Sequence, residues 1–166
     1  MADDKLNVDE PHEELPLSKA AQYLLEECRM VLPGIQALFG FQLVVVFSPG
    51  FEQKLNGTER LLHFFAMVLV AIAVALIMTP AALHRATGSK LVTETFINTS
   101  ARLLLWSMLP LAMAVSTEFY LIARVIIGGK WVVLIALALF TMFVMLWFVL
   151  PRTRDLQRKI IRMNGK

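Results

Sequence analysis

Four long apolar stretches alternate with short polar segments along this chain. They cover residues 30–47, 61–83, 103–122 and 131–150. An α-helix rises about 1.5 Å per residue, so each stretch is about long enough to cross a hydrocarbon layer roughly 30 Å thick. The pattern therefore predicts an all-α fold, in which residues 17–150 form a four-helix transmembrane bundle.

The segments that flank the spans follow different patterns. Residues 1–16 are acidic and lack apolar periodicity, which predicts a flexible tail. Residues 151–166 combine basic side chains with apolar residues at helical spacing, and they predict a basic cytoplasmic surface helix. Just before the first span, an amphipathic helix is predicted to lie on the membrane or on its neighbours. Its apolar face comprises Leu17, Ala20, Ala21, Leu24, Leu25 and Cys28.

The composition agrees with a membrane protein of one domain. The chain has 166 residues, of which 57% are hydrophobic and 17% charged, too few polar residues for the surface of a soluble domain. The basic C-terminal end directly follows a span, so we expect it to contact anionic lipid headgroups rather than nucleic acid. The residues expected to make this contact are Arg152, Arg154, Arg158, Lys159 and Arg162.

The distribution of lysine and arginine predicts the orientation of the spans. Residues 1–29, 84–102 and 151–166 share one side of the membrane and carry 12 of these residues, whereas the two remaining loops carry four. Positively charged loops stay in the cytoplasm. Both termini are therefore expected there, and the even number of spans agrees with their lying on the same side.

One set of ionisable residues lies towards the outer end of the predicted spans. This outer group comprises Glu118, His63, Arg60 and Arg124. Ionisable groups near a bilayer core are costly and often functional. A carboxylate near a histidine could relay protons or bind a cation. Alternatively, Glu118 pairs with Arg60 or Arg124 at the headgroup level and has no further role.

A second set lies at the opposite end of the spans. This inner group comprises Glu27, Arg29, Gln36, His84 and Arg85. These residues could form an ion-paired cluster where helices meet the cytoplasmic face, or they could be solvated helix ends with weak exposed pairs. His63 and His84 are about 31 Å apart along one helix, so they cannot share a metal. No metal site and no cofactor are predicted.

Features within the spans predict how they pack. Gly34, Ala37 and Phe41 form a row on the first span, where small residues allow close helix contact. The fourth span is apolar all round and is expected to face lipid most.

A proline is expected to disturb the third span. Pro110 frees the carbonyl of Trp106, and Ser107 is expected to help satisfy it.

Motifs of enzyme chemistry are lacking in the sequence. It contains no phosphate-binding glycine loop, zinc-binding H-E-x-x-H or serine-hydrolase elbow, and nothing pairs a nucleophile with a base. The sequence therefore predicts a protein that is not an enzyme.

Two motifs resemble a known family. They are the E-x-R-x-x-x-x-G-x-Q-x-L-F run from Glu27 to Phe39 and the P-x-x-x-H-R from Pro80 to Arg85. Over residues 17–150 the chain resembles an uncharacterised bacterial family of small four-span membrane proteins, some of them labelled sodium:proton antiporters. The resemblance implies a bacterial inner-membrane protein. It also favours a functional role for the inner group, because the two motifs contain its residues. Known antiporter folds use many more spans with broken helices at the midplane, so the resemblance identifies no substrate.

Two functional hypotheses follow. The first is a non-enzymatic membrane protein that acts by association, either as a homo-oligomer or as an accessory or structural subunit of a membrane complex. Its basis is the small-residue faces and the few polar groups within the spans. The second is a small oligomeric ion channel or a proton- or cation-coupled transporter, based on Glu118, the inner group and the resemblance.

Overall fold

The computed structural model describes residues 16–87 and 93–152. The predicted all-α fold is confirmed, and the described residues contain no strand. The α-helices are α1 (Leu17–Val46), α2 (Pro49–Lys54), α3 (Gly57–Thr87), α4 (Glu94–Ile126) and α5 (Val132–Val144).

Four helices are long and apolar enough to cross a membrane, as predicted. They are Leu17–Val46, Gly57–Ala86, Glu94–Ile126 and Val132–Arg152. The last of these is the least buried, in agreement with the expectation that the fourth span is the one most exposed to lipid. Each of the four helices is longer than its predicted apolar stretch. A helix satisfies its backbone hydrogen bonds whether its side chains are apolar or polar, so it can continue into the flanking polar residues.

The predicted amphipathic helix is continuous with the first span. Both belong to α1, and Ala21 and Cys28 of this segment are buried. Leu24 packs against the core of the bundle. The apolar face of the segment therefore lies on neighbouring helices, which is one of the two predicted locations. The acidic tail, apart from Pro16, and the basic tail beyond Arg152 lie outside the described residues.

Buried residues recur along the spans at intervals of three, four or seven. On α1 they are Ala21, Cys28, Ile35 and Gln42. On α3 they include Glu59, His63, Ala66, Val70, Ala73, Ile77 and Pro80, and on α4 Ser100, Leu104, Ser107, Ala114 and Leu121. This spacing is that of helices packed like coiled coils. We call each such row the seam of its helix.

The α3–α4 pair is the centre of the bundle. These two helices have the most extensive contact, α1 packs against both, and α5 packs against α4. Ala66 and Ala73 of α3 and Ala112 and Ala114 of α4 are fully buried. Small side chains at these positions let the helix backbones approach closely, as is usual between transmembrane helices.

Local interactions fix the ends of the central helices. Asn56 and Glu59 form a capping box at the start of α3, since each side chain accepts the other residue's backbone N–H at 2.9 Å. Thr93 caps α4 by accepting the N–H of Phe96 at 3.2 Å.

Two glycines make the connection between α4 and α5. Gly128 and Gly129 have φ angles of 69° and 85°, a left-handed conformation that glycine adopts without strain. They allow the chain to reverse within a short loop.

The expectation for Ser107 was wrong. Its hydroxyl donates to the carbonyl of Leu104 at 2.6 Å and not to that of Trp106. A serine hydroxyl in a helix reaches the carbonyl three or four residues earlier, whereas Trp106 is its immediate neighbour. Pro110 is nonetheless accommodated within the unbroken α4.

The last span changes its helical type near its end. A π-helical turn, Met145–Val149, follows α5, and the N–H of Leu150 donates to the carbonyl of Met145. Pro151 comes next and has no N–H to offer the carbonyl of Trp147. The wider turn lies where a regular α-helical bond is unavailable.

Candidate functional site

Three spans each contribute one polar side chain to a single cluster, two of them buried and that of Glu118 partly buried. Gln42 lies on the seam of α1 and His63 on that of α3, and they are 3% and 2% exposed. Glu118 lies between Ala114 and Leu121 on the seam of α4. We call Gln42, His63 and Glu118 the polar triad.

Hydrogen bonds connect all three members of the polar triad. The Nδ1 atom of His63 is 2.9 Å from Oε1 and 3.1 Å from Oε2 of Glu118. The Nε2 atom of His63 is 3.1 Å from the backbone oxygen of Gln42. The side-chain amide of Gln42 donates to Oε1 of Glu118 at 2.9 Å.

The hydrogen bonds that His63 can make in this geometry depend on how many protons the His63–Glu118 pair carries. Both ring nitrogens of His63 face oxygen acceptors, whereas a neutral imidazole offers only one N–H. A neutral imidazole beside a carboxylate carries one exchangeable proton. Both contacts are hydrogen bonds when the His63–Glu118 pair carries a second one. The pair is then either an imidazolium beside a carboxylate or a neutral imidazole beside a carboxylic acid. In both forms its net charge is zero, which lowers the cost of burial.

A cavity of about 280 Å³ opens in front of the polar triad. His63 and Glu118 line it, and the ring of Phe51 meets the imidazole edge-on at a centroid distance of 5.3 Å. Most of the other lining residues are apolar, while Lys54 adds a charged group. The His63–Glu118 pair is therefore accessible from a cavity near the α2 end of the bundle.

The remaining residues of the outer group do not join the polar triad. The guanidinium of Arg124 pairs with the buried carboxylate of Glu59, whose other oxygen accepts the N–H of Asn56. Arg60 is exposed. Glu118 therefore pairs with His63, and the alternative that it pairs with Arg60 or Arg124 is wrong.

The structure brings together part of the inner group. Arg29 of α1 and His84 and Arg85 of α3 line a common cavity of about 610 Å³. Glu27 and Gln36 are exposed and do not line it. The ring of His84 also lies 5.8 Å from that of Phe96 on α4.

The expected headgroup contacts lie mostly beyond the described part of the chain. Arg152 is exposed at the end of the last span. Arg154, Arg158, Lys159 and Arg162 lie outside the described residues.

An apolar core separates the polar triad from the inner cavity. The seam of α3 between His63 and His84 carries only apolar side chains, and Val70, Ala73 and Ile77 among them are fully buried. Among the described residues, no group of three or more His, Cys, Asp or Glu could hold a metal ion.

Sequence analysis missed Gln42. It selected Gln36, the other glutamine of the first span, which the structure leaves exposed. The seven-residue spacing on α1 could have identified Gln42, because this residue continues the series of Cys28 and Ile35. Gln36 lies about 100° away from Ile35 around the helix. Residue type alone could not distinguish the two glutamines.

The fold and the polar triad define a small multi-pass helical membrane protein with a histidine–glutamate pair between its spans. Residues 11–151 match DUF6328, a family of unknown function. The match covers most of the chain, and the protein therefore belongs to this family. Neither the curated proteins nor the solved structures contain a match.

Proposed function

We propose that this protein is a non-enzymatic component of the bacterial inner membrane that acts by association. Its partners would be copies of itself or the other subunits of a larger membrane complex, in which it is an accessory subunit. The observation that supports this proposal is the exposed small-residue face of α1.

That face comprises Gly34, Ala37 and Phe41, all of them exposed. No atom lies within 4 Å of the place where a side chain on Gly34 would begin. Phe41 is 72% exposed. Contact with lipid does not require small residues, whereas close approach of a second helix does. The face is thus suited to a transmembrane helix that lies outside this chain.

The apolar core also favours association. Its buried residues include Ile35 of α1, Val70 and Ile77 of α3, and Leu104 of α4. A conduit through one chain would need polar groups or water between the two ends of the bundle. Among the described residues, this core cluster is apolar apart from Cys28, and the buried hydroxyl of Ser107 donates within its own helix.

Cysteine cross-linking tests the proposal. In a Cys28→Ser background, Ala37→Cys in native membranes should form a disulfide-linked dimer or a heavier adduct after mild oxidation. Leu134→Cys is the matched control, because Leu134 is 55% exposed on α5, away from the small-residue face. Equal cross-linking of both variants, or only monomer without a co-purifying partner in native mass spectrometry, would contradict the proposal.

A second candidate function is proton- or cation-coupled transport by an oligomer. The specific observation in its favour is the His63–Glu118 pair, which lines a cavity. The sequence resemblance, with its sodium:proton antiporter label, is in line with it. Since the core cluster of one chain is apolar apart from Cys28, the route would run between copies.

Flux into liposomes with H⁺, Na⁺ or K⁺ gradients tests this second candidate. Glu118→Gln and His63→Gln should each abolish the flux, because either change removes a titratable member of the pair. Glu52→Gln is the control, since Glu52 is exposed on α2. No flux with the unmodified protein, or the same flux with Glu118→Gln, would exclude the candidate. His84→Ala separately reports whether the inner cavity takes part.

A further inference from the structure

We propose that the cavity between α1 and α3 binds one anionic phospholipid. Arg29 and Arg85 would hold the phosphate, and an acyl chain would lie along Leu32 and Met78. This site is at the opposite end of the bundle from the polar triad, and it depends on neither proposed function.

The cavity has the size and lining of a ligand site. It measures about 610 Å³, within the range of roughly 300–1,000 Å³ that is usual for small-molecule sites. Three basic side chains line it, those of Arg29, His84 and Arg85, and no carboxylate does. The other lining residues are apolar or, like Cys28, weakly polar.

The positive charge in the cavity is not neutralised by nearby acids. Among the described residues, neither Arg29 nor Arg85 forms a salt bridge. Glu26 accepts a hydrogen bond from Gln22 of its own helix at 3.1 Å, and Glu27 is exposed and outside the lining. An anion in the cavity would therefore be attracted by two guanidinium groups that have no salt-bridge partner in the described part of the chain.

The chemistry of the basic groups favours a phosphate. A guanidinium presents a planar set of N–H donors that matches two phosphate oxygens at once. Arg29 and Arg85 come from different helices and line the same space, so they can approach a phosphate from two sides. His84 adds a third group that can donate.

The apolar lining favours a phosphate that carries an acyl chain. Met78 precedes Arg85 by seven residues, about 10 Å along α3, and Leu32 follows Arg29 by about 4.5 Å along α1. Both apolar residues lie towards the middle of their spans. A second cavity of about 430 Å³ shares Met78, Ala81 and Arg85, which gives more room beside the same arginine. Basic cavities between transmembrane helices at this depth suit anionic lipid headgroups.

Native mass spectrometry and thermal unfolding of the full chain in detergent provide the test. Phosphatidylglycerol should remain bound and raise the unfolding temperature, whereas phosphatidylcholine with the same acyl chains should do neither. In Arg29→Gln/Arg85→Gln the affinity for phosphatidylglycerol should fall roughly 30-fold, as expected for two lost arginine contacts with an anionic lipid. The control is Arg60→Gln, which removes an exposed charge at the other end of α3 and should leave the affinity for phosphatidylglycerol unchanged.

A second variant keeps the proposal testable if the double variant does not fold. Met78→Trp preserves the charge of the cavity and fills its apolar part, and Met78 is 43% exposed, so the larger ring can be accommodated. It should also weaken the binding of phosphatidylglycerol. Three results would overturn the proposal: unchanged affinity in Met78→Trp, equal binding of phosphatidylcholine, or equal stabilisation by inorganic phosphate alone. The last result would assign the cavity to a soluble phosphate compound.

Discussion

The single residues of the polar triad form hydrogen bonds with one another, whereas the side-chain oxygen of Gln42 has no partner among the described residues. His63 contacts both Glu118 and the backbone of Gln42, so the loss of any member leaves donors or acceptors buried without a partner. An interhelical hydrogen bond in a membrane protein contributes only about 0.6 kcal/mol on average. The larger effect is the cost of the groups left behind, about 1–3 kcal/mol.

Removing one side chain of the His63–Glu118 pair should therefore lower the free energy of unfolding by more than the energy of the lost hydrogen bond. We expect Glu118→Ala and His63→Ala each to lower the free energy of unfolding by about 1–3 kcal/mol. The double variant should lose about 1 kcal/mol less than the sum, since both partners are then absent. Unfolding in mixed detergent micelles measures these values, with Arg60→Ala as the exposed control. Strictly additive effects would mean that the two side chains do not interact.

The capping box at the start of α3 gives a second prediction for single residues. Asn56→Ala removes the acceptor for the N–H of Glu59 and should cost about 1 kcal/mol of stability. The control is Thr58→Ala, in the same turn and exposed. An equal loss of stability in both variants would show that the side chain of Asn56 has no capping role.

The helices assemble through their seams, which combine alanines with large apolar side chains. Ala66, Ala114, Val70 and Ile77 are fully buried, while other large apolar side chains such as Phe64 and Ile122 point outwards. An apolar side chain is as well solvated by lipid as by the protein core, so helix packing depends on how well the helix surfaces fit each other. The seams also place the polar triad, because Gln42 and His63 continue them to one end.

A larger residue on the seam should separate the central helices. Ala114 is fully buried, so Ala114→Leu should destabilise the protein by about 1–3 kcal/mol through overpacking. Ala101→Leu makes the same change at an exposed position of α4 and should alter stability by less than about 0.5 kcal/mol. Thermal unfolding in detergent compares the two. Equal stability of both variants would argue against close packing at Ala114.

At the scale of the whole molecule, four spans require that the two ends of the chain lie on one side of the membrane. The bias of 12 lysines and arginines against four predicts that this side is the cytoplasm.

Reporter fusions test this orientation. Green fluorescent protein fused after residue 166 should fluoresce, and alkaline phosphatase fused there should be inactive. Alkaline phosphatase fused after Lys130, in the loop between α4 and α5, should be active. The opposite pattern would show that the charge bias does not set the topology of this protein.

The amino-acid sequence determined the helical class, the number of spans and their approximate positions. These follow from local properties, namely the length of each apolar stretch and the requirement that backbone groups be satisfied inside each helix in lipid. It also indicated Glu118 and His63 as a candidate pair, because ionisable residues stand out in such segments. The placement of Gln42 was accessible in principle from the seven-residue series on α1, although residue type favoured neither glutamine.

Only the tertiary structure decided which polar groups meet. The sequence predicts that Glu118, Arg60 and Arg124 lie near the same end of the spans. It does not show which of these side chains face each other. The rotation and packing of three helices direct Glu118 to His63 and leave Arg124 to Glu59. The same packing joins Arg29 to Arg85 in one cavity, since contacts between distant segments depend on how the seams fit together and not on local sequence.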